Sequence, residues 1–395
     1  MRTHDNDTST LHHPQNSTER PNLHYTLHRY NHYSTTKSLT IHICYISSIY
    51  LIVASFLTTT TTALSSSSSP ASRLRNLCLT SRKTSSAIAL PGVHDALSAI
   101  IFAESGANAL FLSGFGVTAS RLGSPDAGLL TQTEMEDATK CVVSALSLSS
   151  SSQSPPPLLM VDGDTGYGGA ANIRRTIRGL ACAGAAAVTI EDQTFPKRCT
   201  YAAGTGVSTV PRSESMSRIN AAIAAREEAK NIDGNDILLV ARTDCRLERG
   251  LEEVIERCKT YEALGADIVY AENLQSRQEY EALRSSLKGE TLTMLAQLQL
   301  YPNDEDEKRR IQGAPYTIDD VGDMGYDLAL FGVTGLQSAV GALQGVAREF
   351  FANKGIVTSR DDNTEIVRTM ASFEEVKRVV GFPKLDEFES RYYHD

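Results

Sequence analysis

Hydrophobic and polar positions follow two alternating patterns along most of this chain. From residue 86 onward, short runs rich in β-branched residues are followed by longer segments in which apolar residues recur with helical spacing. Regular alternation of strand and helix patterns is typical of a parallel α/β fold. The strand pattern is found at residues 86–92, 108–114, 158–164, 186–192, 236–244, 266–273, 291–298 and 327–335. Eight such strand–helix units predict a (β/α)8 barrel, the TIM-barrel fold.

The segments between the strand patterns support this prediction. Helical spacing is clear at residues 131–146, 172–184, 213–230 and 250–265. Gly184, Gly265 and Gly325 each stand just before the next strand, as glycines that end helices commonly do. A doubly wound sheet is the competing architecture. It would carry a glycine-rich turn after the first strand, where this chain has the sequence PGVHD.

The chain divides into three predicted parts. Residues 1–70 are expected to form a targeting presequence and disordered linker, residues 71–356 the barrel domain, and residues 357–395 a C-terminal helical tail. The low-complexity stretch 146–157 indicates a surface loop within the barrel domain. The tail carries a further helical pattern, SFEEVKRVV, and we expect it to pack on a neighbouring subunit rather than to close the barrel.

The first part differs from the rest in composition. Before Asp95 it is rich in Ser, Thr, His and Tyr, and its only acidic residues are Asp5, Asp7 and Glu19. An apolar run at 41–57 precedes a hydroxyl-rich, acid-poor segment, which is the order expected of a bipartite presequence that directs a protein to a plastid. A mitochondrial presequence is the alternative. The other interpretations are a wrongly assigned start and a single membrane anchor, for which the run is marginally short.

Composition excludes several classes of protein. The formal net charge of -9 argues against nucleic-acid binding, because phosphate contacts need clustered Lys and Arg. The seven cysteines are scattered without CxxC pairs, so neither a zinc site nor a disulfide framework is indicated, and we expect reduced thiols. We expect no membrane association of the mature protein.

Charged residues gather at the carboxyl ends of four predicted strands, where barrel enzymes place their catalytic groups. These residues are Asp162, Asp164, Glu191, Asp192, Arg242, Asp244 and Glu272. Asp162 and Asp164 are two residues apart, so they would share one face of a strand. Several carboxylates at one barrel mouth would repel one another unless a cation lay among them, and oxygen-only ligands favour Mg2+. We therefore predict a Mg2+ site, with Mn2+ as the alternative ion.

A cation at this position would favour one kind of chemistry. It would polarise the carbonyl of a bound 2-oxo acid and stabilise the enolate that forms from it. Arg242 would then hold a substrate carboxylate with two parallel hydrogen bonds. The competing interpretation is that the acids only cap the following helices. That interpretation explains one Asp per strand, but not Asp162 and Asp164 followed on the next strand by Glu191 and Asp192.

Several long motifs match one enzyme superfamily in the same order. They are ALPGVHDALSA, LFLSGFGV with GSPDAG, VDGDTGYGGAANIRRTIRGLACAGAAAVTIEDQTFPKRC and VARTD. Through these motifs, residues 72–350 resemble the isocitrate lyase/phosphoenolpyruvate mutase superfamily, which includes methylisocitrate lyase-like and carboxyvinyl-carboxyphosphonate phosphorylmutase-like enzymes. The resemblance implies a magnesium-dependent barrel whose last helix is swapped between the subunits of a homodimer or homotetramer.

The resemblance also implies roles for individual residues. Asp162 would bind Mg2+ most directly, and Asp164, Glu191 and Asp126 would hold it through waters. The residues implied to bind substrate are Ser113, Gly114, Phe115, Thr200, Arg242, Glu272 and Gln297.

The loop after the fourth strand distinguishes the reactions of this superfamily. Its carbon–carbon lyases have a Lys-Lys/Arg-Cys-Gly-His loop whose cysteine delivers a proton, whereas the phosphonomutases have an asparagine-containing loop without that cysteine. Here the loop begins with Lys197, Arg198 and Cys199. The two cations create a positive field that favours a thiolate or a tuned proton donor. The predicted catalytic residues are therefore Cys199, Lys197 and Arg242.

The remaining cysteines and three departures from the lyase pattern complete the picture. Cys141, Cys182 and Cys258 are predicted to be buried small residues, and Cys245 to be structural. Gly-His has become Thr200-Tyr201, the stretch AAGTGVSTV is longer than usual and lacks its usual Arg, and Gln297 stands where Asn is common. These departures argue against isocitrate or methylisocitrate cleavage and favour a different substrate or a weaker enzyme.

Three functional hypotheses follow. The first is a Mg2+-dependent lyase or hydrolase that breaks a C–C bond of a small 2-oxo or substituted malate-type carboxylate through an enolate. The second is a phosphoenolpyruvate or carboxyphosphonoenolpyruvate phosphonomutase-like enzyme, in which the cysteine would be superfluous. The third is a barrel that binds a carboxylate without turnover.

Overall fold

The computed structural model describes residues 68–149, 155–200, 206–299, 315–357 and 370–393. Nearly all of the predicted presequence therefore lies outside the described residues. The centre of the predicted low-complexity loop and Tyr201 also lie outside them.

All eight predicted strands are present, and together they form a closed barrel. They are β1 Ile88–Val93, β2 Ala109–Leu112, β3 Leu158–Asp162, β4 Ala187–Glu191, β5 Leu238–Thr243, β6 Ile268–Ala271, β7 Leu292–Gln297 and β8 Leu328–Phe331. Each strand pairs in parallel with the next one, and β8 pairs with β1. The prediction of a (β/α)8 barrel is confirmed.

Helices follow the strands and surround the barrel. The described helices are α1 Pro70–Ser81, α2 Ala96–Glu104, α3 Gly114–Leu122, α4 Gln132–Ser149, α5 Ala170–Cys182, α6 Arg212–Asn231, α7 Arg246–Leu264, α8 Arg277–Ser286, α9 Ile318–Asp323, α10 Thr334–Ala352, α11 Phe373–Val379 and α12 Phe382–Glu389. Each of the four predicted helical segments falls on one of α4 to α7. Gly184, Gly265 and Gly325 all have a positive φ. Helices often end at a residue with this backbone conformation, which glycine adopts more easily than other residues.

The strands are apolar on both faces because two separate cores bury them. Along β3, Leu158 and Met160 point into the barrel interior, while Leu159 and Val161 pack against the surrounding helices. This two-sided burial explains why the strand segments appear in the sequence as continuous apolar runs rather than as alternating ones.

Helix α1 closes the amino-terminal end of the barrel. Its side chains Ala71, Leu74 and Cys78 are fully buried and belong to the same apolar cluster as Leu158 and Leu328, which begin β3 and β8. Ser69 caps the helix by accepting a hydrogen bond from the amide of Ser72. Because α1 fills this end, the carboxyl ends of the strands form the accessible mouth of the barrel.

The helices beyond the barrel expose many large apolar side chains. In α10, Leu343 and Phe351 are exposed, and in α11 and α12 so are Phe373, Leu385 and Phe388. The helical pattern predicted in the tail corresponds to α11, which begins after the capping residue Ser372. Among the described helices, none is long and apolar enough to cross a membrane.

Candidate active site

A cavity of about 680 Å³ opens at the carboxyl ends of the strands. Of the residues implied to act in a site, those that line it are Ser113, Phe115, Asp126, Asp162, Glu191, Lys197, Cys199, Thr200, Arg242, Glu272 and Gln297. The other two, Gly114 and Asp164, lie close to Asp162. A Cβ added to Gly114 would be 2.9 Å from Asp162 Oδ2 and 3.2 Å from Asp164 Oδ1, which shows how near the three residues are. The structure therefore brings all of these residues to one end of the barrel.

Asp162 and Asp164 meet for a different reason from the one expected. β3 ends at Asp162, and Asp164 lies in the following turn with a φ of +48°, so strand alternation does not place the two side chains. The turn folds back instead, and the Asp164 amide donates a hydrogen bond of 3.2 Å to Asp162 Oδ1. Asp162 Oδ1 also accepts a bond of 3.0 Å from the Thr189 hydroxyl.

Lys197 links the loop after β4 to this carboxylate group. Its Nζ lies 2.6 Å from Asp126 Oδ1 and 2.5 Å from Asp164 Oδ1, and all three side chains are buried. Burial raises the pKa of Asp164 to about 6, while the nearby charge of Lys197 opposes that rise. Burial alone would lower the pKa of Lys197, but Asp164 and Asp126 outweigh it and hold that pKa well above its usual value. Lys197 is therefore a cation among the carboxylates.

Arg242 forms a second charged group on the neighbouring strand β5, and its Nε lies 3.4 Å from Glu191 Oε2. Its Nε and Nη2 bond to Asp244 at 3.0 and 2.7 Å, and Nη2 also lies 3.3 Å from Glu272 Oε2. Its guanidinium carbon lies 5.2 Å from the centre of the Tyr270 ring, within the range of a cation–π contact. Two of its nitrogens are thus directed to Asp244, and Nη1 makes no hydrogen bond to that carboxylate.

The carboxylates fit a hard divalent cation. Their donor atoms are all oxygens, the type that Mg2+ prefers. Glu191 Oε1 is buried and has no hydrogen-bond partner among the described residues. Burial raises the pKa of Glu191 well above its usual value, and a cation would favour its charged form. Within the described part of the chain, no three acidic, His or Cys side chains surround one point as direct ligands. Mg2+ usually keeps several waters and is bound through one or two carboxylates.

Gln297 is positioned by a neighbouring segment. Its Nε2 donates a 2.7 Å hydrogen bond to the Tyr316 carbonyl, and its Oε1 accepts one of 2.8 Å from the Tyr316 amide. Both ends of the amide are therefore engaged with the backbone that precedes α9, although the residue lines the cavity.

The predictions for the cysteines were partly wrong. Cys258 and Cys245 are buried, as expected, and Cys199 is half-buried at the cavity, but Cys141 and Cys182 are exposed. On α4 the inward face is formed by Met135 and by positions such as 139, 142 and 146, so Cys141 falls on the outer face. Assigning a cysteine to a helix does not show whether it is buried. The spacing of the apolar residues along the helix shows which face is buried.

Two cavity residues that bond to charged residues named from the sequence were themselves missed. Tyr270, on β6, is two residues before Glu272, and its hydroxyl donates a hydrogen bond to Glu272 Oε2. Gln193 follows Glu191 and Asp192 at the end of β4 and also lines the cavity. The period-two alternation of the strands could have identified both, since each shares a face with a predicted site residue.

Comparison with known proteins identifies the family. The family model of phosphoenolpyruvate phosphomutase matches residues 79–351. A petal death protein of Dianthus caryophyllus is 35% identical over 79% of this chain and 90% of its own length. A 2,3-dimethylmalate lyase of Eubacterium barkeri is 29% identical over 82% and 98%. A chloroplastic carboxyvinyl-carboxyphosphonate phosphorylmutase of Arabidopsis thaliana is 32% identical over 82% and 86%.

Solved structures agree with this result. Oxaloacetate acetylhydrolase in complex with 3,3-difluorooxalacetate superposes with a TM-score of 0.66 at 29% identity, covering 82% of this chain and 96% of that one. A 2,3-dimethylmalate lyase structure superposes with a TM-score of 0.67 at 27% identity, covering 82% and 95%.

The fold and the site define a (β/α)8-barrel enzyme with a carboxylate-rich mouth. The chain belongs to the phosphoenolpyruvate phosphomutase family, within the isocitrate lyase/phosphoenolpyruvate mutase superfamily.

Proposed function

We propose that this enzyme is a magnesium-dependent lyase or hydrolase that breaks a C–C bond of a small 2-oxo or substituted malate-type carboxylate. The observation that carries the proposal is the position of Cys199, which lines the same cavity as the carboxylates around Asp162 and as Arg242. Relatives named as a 2,3-dimethylmalate lyase and an oxaloacetate acetylhydrolase support this class of substrate.

The carboxylates Asp162, Asp164, Glu191 and Asp126 would hold the metal, with Asp162 as the direct ligand. When bound, Mg2+ would polarise the oxygen at C2 and stabilise negative charge that develops there. Mn2+ has the same preference for oxygen ligands and is the alternative ion. Lys197 adds a fixed positive charge beside Asp126 and Asp164, which lowers the net negative charge that the substrate carboxylates meet.

Arg242 would bind the substrate, and Cys199 would supply a proton. Arg242 Nη1 would bind a substrate carboxylate while Asp244 holds the guanidinium in place. Cleavage of the C2–C3 bond of a substituted malate transfers the hydroxyl proton to a base and leaves a carbanion on the departing fragment. The Cys199 thiol would protonate that carbanion. Thr200, Glu272 and the Ser113–Phe115 segment would surround the substrate.

A product-release screen tests this proposal. Purified enzyme with Mg2+ would be incubated with oxaloacetate, 2,3-dimethylmalate, methylisocitrate and other 2-substituted malates, and release of pyruvate, glyoxylate, oxalate and other 2-oxo acids would be measured. We expect Mg2+-dependent cleavage that is lost in Cys199→Ser and kept in Cys182→Ser, whose thiol is exposed and outside the cavity. Conversion of phosphonopyruvate that survives Cys199→Ser would favour the phosphonomutase, and no turnover at all would favour a carboxylate-binding barrel.

We also propose a plastid location. The acid-poor, hydroxyl-rich composition before Asp95 supports it, and so does the chloroplastic designation of the Arabidopsis thaliana relative. A mitochondrial location is the alternative. Expression of residues 1–70 fused to a fluorescent protein would distinguish the two organelles.

We further propose that the enzyme is a homodimer or homotetramer with its last helices exchanged between subunits. The exposed apolar side chains of α10, α11 and α12 support this, because surfaces of this kind usually mark protein contacts. Light scattering coupled to size-exclusion chromatography would measure the mass of the assembly.

A further inference from the structure

The geometry points to Gln193 as a positioning residue that ties the Cys199-bearing segment to Arg242. The inference rests on the proposed function, in which Cys199 donates a proton and Arg242 holds a substrate carboxylate. Gln193 is 2% exposed and lies in the cavity between these two groups. Its role follows from the hydrogen bonds at both ends of its side chain.

The two ends of the Gln193 amide bond to different parts of the site. Its Nε2 donates a hydrogen bond of 3.2 Å to Asp244 Oδ1, and its Oε1 accepts one of 2.9 Å from the backbone amide of Arg198. A carboxylate oxygen can only accept and a backbone N–H can only donate, so these partners fix the orientation of the amide. Arg198 is the residue directly before Cys199.

Asp244 connects Gln193 to Arg242, the residue proposed to bind a substrate carboxylate. The same oxygen that receives the Gln193 bond also accepts the 2.7 Å hydrogen bond from Arg242 Nη2. Asp244 is held in turn by its own backbone amide, which donates a 2.9 Å bond to Asp192 Oδ1. A displacement of Gln193 therefore changes the surroundings of the carboxylate oxygen that orients Arg242.

The backbone of Gln193 is anchored independently of this side chain. Its carbonyl accepts a 2.7 Å hydrogen bond from Arg218 Nη1, and the residue forms an isolated antiparallel bridge with Thr209. Thr209 is bound to Glu248 and Arg249 at the start of α7. The side chain thus extends from a fixed point toward the Arg198 amide.

The chain offers a probe that needs no substrate. Cys199 is half-buried, and its reaction with iodoacetamide can be followed by mass spectrometry of its peptide. If the Gln193–Arg198 bond holds this segment in place, Gln193→Met, which keeps the length of the side chain but makes neither bond, raises the alkylation rate of Cys199. We expect an increase of about tenfold, because a single net hydrogen bond has roughly that effect on a local equilibrium.

A double-mutant cycle tests the link to Arg242. Alkylation rates of Cys199 would be measured in wild type, Gln193→Met, Arg242→Lys and the double variant, all without substrate. If Gln193 transmits the position of Asp244 to the Cys199 segment, Arg242→Lys changes the rate in the wild-type background and has little further effect in Gln193→Met. A residue that only stabilises the fold would give effects that multiply.

A matched control separates this role from loss of a buried amide. Gln132 is 6% exposed, and its Nε2 bonds to Glu136 outside the cavity. Gln132→Met therefore removes the hydrogen bond of a comparably buried amide. That variant should leave Cys199 alkylation unchanged. Thermal unfolding would confirm that each variant is folded, and Gln193→Asn, too short to make both bonds, would replace Gln193→Met if the latter does not fold.

The outcomes distinguish this inference from the proposed function. An unchanged Cys199 rate in a folded Gln193 variant, or rates that multiply in the cycle, would overturn the positioning role even if the product-release screen finds lyase activity. A coupled cycle with no activity in that screen would retain the structural link while rejecting the lyase.

Discussion

The ammonium nitrogen of Lys197 lies 2.5 Å from Oδ1 of Asp164, although the two residues come from different loops of the barrel. The same nitrogen lies 2.6 Å from Asp126 Oδ1. The loop that carries Cys199 is therefore joined electrostatically to the carboxylates proposed to hold the metal. Changes at Lys197 should affect the stability of the protein and its response to Mg2+ together.

Replacement of Lys197 by Met should destabilise the metal-free enzyme. The substitution leaves the buried carboxylates of Asp126 and Asp164 without their cation, and loss of one partner from a buried ion pair commonly costs about 3–5 kcal/mol. Bound Mg2+ would supply the missing positive charge, so the free energy of unfolding should recover more with Mg2+ in the variant than in wild type. Urea unfolding with EDTA and with Mg2+ measures both quantities.

An exposed lysine provides the control for that experiment. Lys140 pairs with Glu136 on the surface of α4, and Lys140→Met should leave stability nearly unchanged in either condition. Equal responses of the Lys197 and Lys140 variants would show that the carboxylates do not form a cation site.

Asp162→Asn should abolish tight Mg2+ binding. Asp162 is the proposed direct ligand, and an amide oxygen carries no net charge to offset the desolvation of the ion. We expect the affinity for Mg2+, measured by calorimetry, to fall at least about 100-fold, with Mn2+ and electron paramagnetic resonance as a second probe. Asp233→Asn, which removes a surface carboxylate paired with Arg178, should keep wild-type affinity. Unchanged binding in Asp162→Asn would place the metal elsewhere.

A methyl group at Gly114 should disturb the carboxylates without changing their number. The added Cβ would lie 2.9 Å from Asp162 Oδ2, closer than side-chain carbons normally approach. Gly114→Ala should therefore weaken Mg2+ binding by on the order of 10-fold, in the range seen when groups behind metal ligands are altered. Gly169→Ala is the matched control, because its Cβ would meet no atom within 4 Å and its φ of -78° suits alanine. If both variants bind Mg2+ equally well, Gly114 has no part in the site.

Glu253 should make stability depend on pH through its bonds to Arg212 and Arg257. The hydrogen bond from Arg212 is the main reason that the pKa of Glu253 falls to about 2 in the folded protein. A carboxylate with a lowered folded pKa stabilises the protein above its unfolded pKa and loses that contribution as pH falls through about 4.5 toward 2. The difference in unfolding free energy between wild type and Glu253→Gln should therefore be larger near pH 7 than near pH 3. A difference that does not change with pH would contradict this assignment.

The pattern of apolar residues in the sequence predicted the barrel, because a buried strand requires apolar residues within a short segment of the chain. Each strand is covered on both faces, so it appears as a short apolar run, and Leu158 to Val161 show this on β3. The charged residues that end these runs, such as Asp162 and Arg242, could be assigned to one mouth of the barrel, since parallel strands place their carboxyl ends together. These inferences need only the periodicity of the chain and the connectivity of the fold.

The tertiary structure alone decided which of these groups touch. Lys197 and Asp126 are 71 positions apart, and Gln193 and Asp244 are 51 apart. Whether two side chains on different loops meet depends on the path of each loop, which periodicity does not encode. The positive φ of Asp164 and the engagement of Gln297 with the Tyr316 backbone arise in the same way. The sequence by itself determined the barrel and the mouth that carries the charges, and only three-dimensional packing determined how those charges are paired.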